Sequence, residues 1–336
     1  MASTRSQPPY GYCASDATHR ARWAGRNDGD GADVARWHQR VSFLDLTTSF
    51  AQFARPTACF IGYASDLGVR MNRGRTGAAE GASALRESMS NLPAVAALDL
   101  VDCGDVVEAS SVLATQEALA WAVERIVRAG GMPVILGGGH DQAYGHFLGI
   151  AQATGKAPGC LNFDAHADLR PIPFDGPNSG TPYTQAAEWC AKHDMPFHYA
   201  IVGWQDCANT QLLVRRAEEV GAEILRAPIG VGVDFEDEVQ LLSAIRESDA
   251  LALSIDLDVF AAAYAPGVSA PTAMGLVPDG ALLETLRNLF VDGYNIAGME
   301  VAELCPEHDI DGRTARLGAA LIFTLLTAYA QARLDA

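Results

Sequence analysis

The run GCLNFDAHADLR at 159–170 constrains this chain more than any other stretch. An apolar segment suited to a buried strand passes without a spacer into Asp164, His166 and Asp168. In extended backbone, residues two apart point to the same side, so three metal-type side chains would leave the strand end together. LALSIDLDVF at 251–260 repeats the pattern with Asp256 and Asp258, and PVILGGGHD at 133–141 carries His140. Three apolar runs, each ending in carboxylate or imidazole, can place these groups at the carboxyl edge of one parallel sheet, where open α/β sheets bind their ligands. That is the outline of a two-metal hydrolytic site.

The rest of the chain reads as a scaffold for that edge. Apolar strand-like runs at 57–65, 98–107, 132–139, 198–204, 222–227 and 295–303 alternate with helical stretches at 82–92, 116–129, 146–154, 184–193, 210–220, 234–247, 278–290 and from Leu317 onward. Such alternation predicts an α/β fold, three-layer αβα with a mostly parallel central sheet. Residues 1–55 are polar and irregular, with one short helix expected over 32–41, and read as an N-terminal arm; 56–336 reads as a single catalytic domain. The loop PIPFDGPNSGTP at 171–182 directly follows the ligand-bearing strand, a usual place for substrate contacts. Arg73 and Arg75 sit on another loop at a strand's carboxyl end.

Composition narrows the function. A formal charge of −17 over 336 residues argues against a nucleic-acid partner, which requires a basic face. The seven cysteines are scattered and form no CxxC pair, which favours reduced thiols in a cytoplasmic protein. No uninterrupted apolar stretch approaches the ~20 residues of a membrane span, and the first residues lack the apolar core of a signal peptide. Four aspartates with two histidines suit Mn2+ above softer metals, because no thiolate is in the set. Their charge would balance two divalent ions, and the resulting cluster would attract a planar cationic electrophile such as an amidinium.

GGGHD at 137–141, DAHAD at 164–168 and SIDLD at 254–258 resemble the metal-binding motifs of the ureohydrolases, the arginase and agmatinase superfamily. The resemblance implies an arginase/deacetylase-like fold and a binuclear manganese centre held by His140, Asp164, His166, Asp168, Asp256 and Asp258. It further implies that Glu300, in GMEVAE, is the carboxylate that binds the substrate's amidino group. WAGRNDGDG, RWHQRV, GRTGAAEG, NSGTP, APGVSAP and DIDGRTAR look like the formimidoylglutamase branch and span the chain from about residue 23 to the last helix. That branch hydrolyses N-formimidoyl-L-glutamate to L-glutamate and formamide in histidine degradation. At 179–183, where arginases carry a proton-shuttling histidine, this chain reads SGTPY, a departure from arginase itself.

The implied chemistry is attack of metal-activated water on the amidinium carbon, with Asp168 or Asp258 relaying a proton to the leaving amine. The two substrate carboxylates need donors. Arg170, two residues past the last DAHAD ligand, is the expected clamp, since guanidinium matches carboxylate in a bidentate way. Asn178, Ser179 and Thr181 are expected as neutral donors beside it. The alternative enzyme is a guanidino-acid or agmatine-type ureohydrolase releasing urea. A metal-stabilised binding protein would be marked by a lost ligand, and none of the six is missing; a deacetylase of similar fold uses one zinc and would not need all six. The family also implies a small-molecule substrate and, loosely, a homo-oligomer.

Overall fold

In a computed structural model, residues 8–227, 235–240 and 242–334 are described. Ten strands form one sheet: β1 (Tyr12–Cys13), β2 (Ser42–Phe43), β3 (Thr57–Ala64), β4 (Asp99–Val107), β5 (Met132–Leu136), β6 (Gly159–Phe163), β7 (Tyr199–Trp204), β8 (Glu223–Arg226), β9 (Leu251–Asp256) and β10 (Ile296–Ala302). Their spatial order is β1-β4-β3-β5-β10-β9-β6-β7-β8, with β2 also on β4. Among the described residues only β1 runs antiparallel to its neighbour.

Strands in such a sheet are buried on both faces and therefore read as continuous apolar runs. β3 shows the consequence, because successive side chains point to opposite faces. Ala58 and Phe60 join one core cluster, whereas Cys59, Ile61 and Tyr63 join another. Helices Gly81–Met89, Gly280–Val291 and Arg313–Leu334 pack together on the first face. Helices Val112–Arg128, Gln142–Thr154 and Pro182–Lys192 cover the other. The expected three-layer αβα arrangement is therefore observed.

Local chemistry sets the helix ends. Ser111 caps the helix Val112–Arg128 by accepting the Ala114 N–H at 3.1 Å, which starts it ahead of the predicted 116. The helix Gln142–Thr154 likewise begins before 146, carries Gly145 inside it, and stops at Gly155 in the left-handed region. The stretch expected as one helix over 234–247 contains two short ones, Phe235–Gln240 and Ser243–Arg246; residues 234 and 241 lie outside the described residues. Helix Arg313–Leu334 is long and apolar enough to cross a membrane by length and composition. Here its apolar side fills the core, with Leu321, Ile322, Leu325 and Leu326 buried.

Residues 8–55 do more than lie on the outside. β1 and β2 both extend the sheet at β4, and Trp23 and Trp37 are buried in the core. The helix expected over 32–41 is a single turn, Trp37–Arg40. A buried polar knot ties this segment down: Arg86 bridges Asp102 and Asp105, Trp23 donates to Asp102 at 2.6 Å, and His19 lies 2.9 Å from Asp105.

Candidate metal centre

Four adjacent central strands, β5, β10, β9 and β6, bring their carboxyl ends to one place. The loop after β5 carries His140, the loop after β6 carries Asp164, His166 and Asp168, and Asp256 and Asp258 close β9. The glycines of GGGH are required by close approach. A Cβ on Gly137 would lie 2.2 Å from the Val301 carbonyl oxygen, and one on Gly138 2.2 Å from that of Tyr63. Only bare backbone fits between β10 and β3 at that point.

His140 Nδ1 stands 3.1 Å from Asp164, 2.8 Å from Asp168 and 3.1 Å from Asp256. His166 Nδ1 stands 3.0 Å from Asp258 and 3.5 Å from Asp164. Two groups could each hold a metal ion, His140–Asp164–Asp168 and Asp164–His166–Asp258. Asp164 belongs to both, turning Oδ2 to His140 and Oδ1 to His166. The structure thus brings together all six residues expected from the sequence.

Side chains behind the cluster fix its shape. Asn162 donates to Asp164 at 3.0 Å, and Asn209 accepts the Ala167 N–H at 2.9 Å and donates to the Ala165 carbonyl at 2.9 Å. Asp168 sits at φ 47°, a left-handed conformation whose strain is of the kind stored at functional sites.

Electrostatics fit a cation. Burial pushes the Asp168 carboxyl up to about 6, with Asp164 adding to it. Burial, with Asp256 and Asp164, drives Asp258 well above the usual carboxylate range. Burial disfavours charge on His140 and His166 as well, yet the surrounding aspartates overcome it and raise both well above an ordinary imidazole. Only Asp164 goes the other way, held low against burial by the two imidazoles. Packed carboxylates that gather protons in this manner are a ready donor set for hard divalent ions.

Five of the six, all but the central Asp164, floor a cavity of about 210 Å3 lined also by Asn72, Arg170, Ser179, Ser269 and Glu303. Arg170 reaches the mouth across Gly180, where a Cβ would lie 2.6 Å from its Cδ. Its backbone N–H donates to the Gly180 carbonyl at 2.8 Å, joining the two loops. Ser179 lines the cavity as expected and accepts from Asn72 Nδ2 at 3.1 Å.

Three expected substrate contacts stand outside this lining. Asn178 and Thr181 are two of them, with Oδ1 and Oγ1 engaged in the turn itself. Asn178 Oδ1 accepts the Gly180 N–H at 2.9 Å, and Thr181 Oγ1 donates to the Asn178 carbonyl at 2.9 Å. They build the turn that presents Ser179. Glu300 also lies outside the lining, because it is inside β10, paired with Ser254 of β9, and its side chain enters the layer beneath the site. Glu303, just past the end of β10, is the glutamate that faces the cavity. Its Oε1 accepts the His140 N–H at 2.8 Å, its backbone turns at φ 64°, and burial, with Asp256, raises its carboxyl well above the usual range.

Sequence reasoning missed Glu303, Asn72 and Ser269. A signal for Glu303 was present: on β5 and β6 the ligands follow the apolar run, and in GMEVAE the second acid occupies that place. Of the loop arginines, Arg75 is committed to the Val268 and Ser269 carbonyls at 2.5 and 3.0 Å, stapling two loops of the cavity wall. Arg73 is exposed and outside the lining.

Comparison with known proteins gives a consistent picture. The family model described as the Arginase family matches residues 56–328. Formimidoylglutamase of Chromobacterium violaceum is 40% identical over 307 residues, covering 90% of this chain and 96% of that protein. Formimidoylglutamase of Nocardia farcinica is 40% identical over 319 residues, covering 92% and 96%. Among solved structures, Trypanosoma cruzi formiminoglutamase with Mn2+ superposes with TM-score 0.70 at 25% identity, covering 82% of this chain and 94% of that one. The formimidoylglutamase of Bacillus subtilis shares the fold, with TM-score 0.77 at 22% identity over 91% and 95% of the two chains.

Proposed function

The chain belongs to the arginase family, and from that membership and the geometry of its site we infer that it is a metal-dependent formimidoylglutamase. The reaction adds water to N-formimidoyl-L-glutamate and yields L-glutamate and formamide. One observation carries the reading: six donor side chains converge, with Asp164 shared between two groups and the other five lining a cavity whose mouth holds Arg170. The same donor set would hold two Mn2+ ions per subunit, with His140, Asp164, Asp168 and Asp256 available to one and Asp164, His166 and Asp258 to the other.

When bound, the two ions would lower the pKa of a water and polarise the amidine. The protein groups do the rest. Arg170 offers a guanidinium to a substrate carboxylate, with neutral contacts from Ser179, Asn72 and Ser269. This orients the formimidoyl carbon towards the cluster, so that binding at the mouth sets the geometry of reaction at the floor. Glu303, with Oε2 buried and free of hydrogen bonds among the described residues, takes the amidino N–H groups. Asp168 or Asp258 passes a proton to the departing glutamate nitrogen. The C–N bond to glutamate breaks as the carbon keeps its own nitrogen and the new oxygen, giving formamide.

The reading also takes 56–336 as one catalytic domain and places the protein in the cytoplasm. The test is product analysis of manganese-loaded protein with N-formimidoyl-L-glutamate, arginine, agmatine and 4-guanidinobutyrate. Formamide and glutamate from the first alone are expected. Urea from a guanidino substrate, with formimidoylglutamate untouched, would overturn the substrate while leaving the metal centre.

A further inference from the structure

Glu300, absent from the cavity, occupies the layer directly beneath it. Its side chain is 1% exposed, and neither oxygen has a hydrogen-bond partner among the described residues. Two imidazoles flank it: His146 Nδ1 is 3.7 Å from one oxygen and His140 Nε2 is 4.0 Å from the other. A buried carboxylate without donors costs stability, and an apolar side chain of similar size would serve the core better. Packing therefore gives no reason for an acid here.

The surroundings are nevertheless shaped for it. Gly298, two residues earlier and on the same face of β10, leaves room for the buried His146, since a Cβ there would fall 2.4 Å from its Nε2. Ser254, the cross-strand partner of Glu300, puts its Oγ 2.8 Å from His140 Nε2. His140 turns its other nitrogen, Nδ1, to Asp164, Asp168 and Asp256. A metal-ligating histidine depends for its orientation on what meets its second nitrogen. Here that nitrogen faces a hydroxyl and a carboxylate.

We propose that Glu300 is a positioning residue for the metal centre. Together with Ser254 it braces the Nε2 edge of His140 so that Nδ1 faces the aspartates, and its buried negative charge favours a cation on the far side of the ring. The inference rests on the reading that the six-residue cluster binds divalent metal.

The test compares wild type, Glu300→Gln and Glu300→Asp in two measurements: Mn2+ affinity by equilibrium dialysis, and urea unfolding of chelator-stripped protein. Removing an outer-layer partner of this kind weakens metal binding about 10–100-fold, and that loss is expected for Glu300→Gln. Its metal-free form should unfold at the same or higher urea, because the buried charge is gone. Glu300→Asp, which keeps the charge, should bind Mn2+ more tightly than Glu300→Gln. A purely structural acid would show the reverse, with unchanged affinity and lower metal-free stability, and either result for Glu300→Gln overturns the proposal. Should Glu300→Gln not fold, Glu300→Asp must still bind Mn2+ within about tenfold of wild type, on the same scale of outer-layer effects; a larger loss overturns it. Wild type that binds no stoichiometric Mn2+ in the same dialysis overturns the metal-centre reading itself.

Discussion

Replacing Arg86 with methionine should cost more stability than any surface charge change in this chain. Arg86 is 1% exposed and donates to Asp102 at 2.7 and 3.2 Å, to Asp105 at 2.7 Å and to the Gly104 carbonyl at 2.9 Å. Methionine would fill the space of the stem but leave two carboxylates without their cation, of which Asp102 is fully buried. Removing one partner of a buried pair costs about 3–5 kcal/mol. Four charge-assisted donations at about 1.5–3 kcal/mol each would sum to more. That sum overcounts, because Asp102 keeps Trp23, Ser15 and the Gly104 N–H as donors, and Asp105 is 15% exposed and keeps His19. The smaller range is therefore expected, read from the urea midpoint at unchanged slope. Adding Asp102→Asn should restore part of the loss, with a coupling of about 1–3 kcal/mol. A loss under about 1 kcal/mol for Arg86→Met alone would refute the claim that this knot holds residues 8–55 to the sheet, since the figure for a broken buried pair is several-fold larger.

Three further outcomes follow from named contacts. Asp105 raises the His19 pKa, with burial opposing, while Arg86 and His19 hold Asp105 low against its burial. The Asp105 contribution is present above its unfolded value and the His19 contribution below its own, so both act between about pH 4 and 6.5. As pH rises through the elevated His19 value its share is lost, so the stability gap between wild type and His19→Gln should be larger at pH 6 than at pH 9; an equal gap refutes the pairing. Gly138→Ala would set a Cβ 2.2 and 2.4 Å from the Tyr63 and Ser65 carbonyl oxygens, and since backbone cannot yield, the His140 loop must move. Metal content of the purified variant should fall, and full content would show the approach to be looser than described. Arg170→Ala should lose about 1.5–3 kcal/mol of substrate binding, about 10–150-fold in kcat/KM on formimidoylglutamate, with lysine restoring only part because it lacks the planar fork. An unchanged KM would defeat the clamp.

The six candidate ligands were legible as a group because their signal is local. Each follows its own apolar run, and strand periodicity with the carboxyl-edge rule places them without knowledge of the strand order. Helix ends were legible where the capping residue was conspicuous, as at Gly155, and missed where a hydroxyl cap such as Ser111 extended the helix beyond its apolar period. Asn178 and Thr181 read as donors for a substrate; Asn178 Oδ1 and Thr181 Oγ1 are also engaged in the turn itself, and no sequence rule separates those two uses of the same side chains.

The alternation of apolar and amphipathic stretches was enough by itself to specify a parallel, helix-covered sheet and the six groups at its edge, because burial on both faces and a two-residue repeat are properties of the chain. What only tertiary structure decided is how the last strand enters. β10 inserts between β5 and β9, which carries residue 303 over the cavity and residue 300 beneath it. Two glutamates three residues apart thereby receive opposite surroundings. The distinction depends on where a strand ends relative to neighbours more than a hundred residues away in sequence, at β5, and no local pattern contains that information.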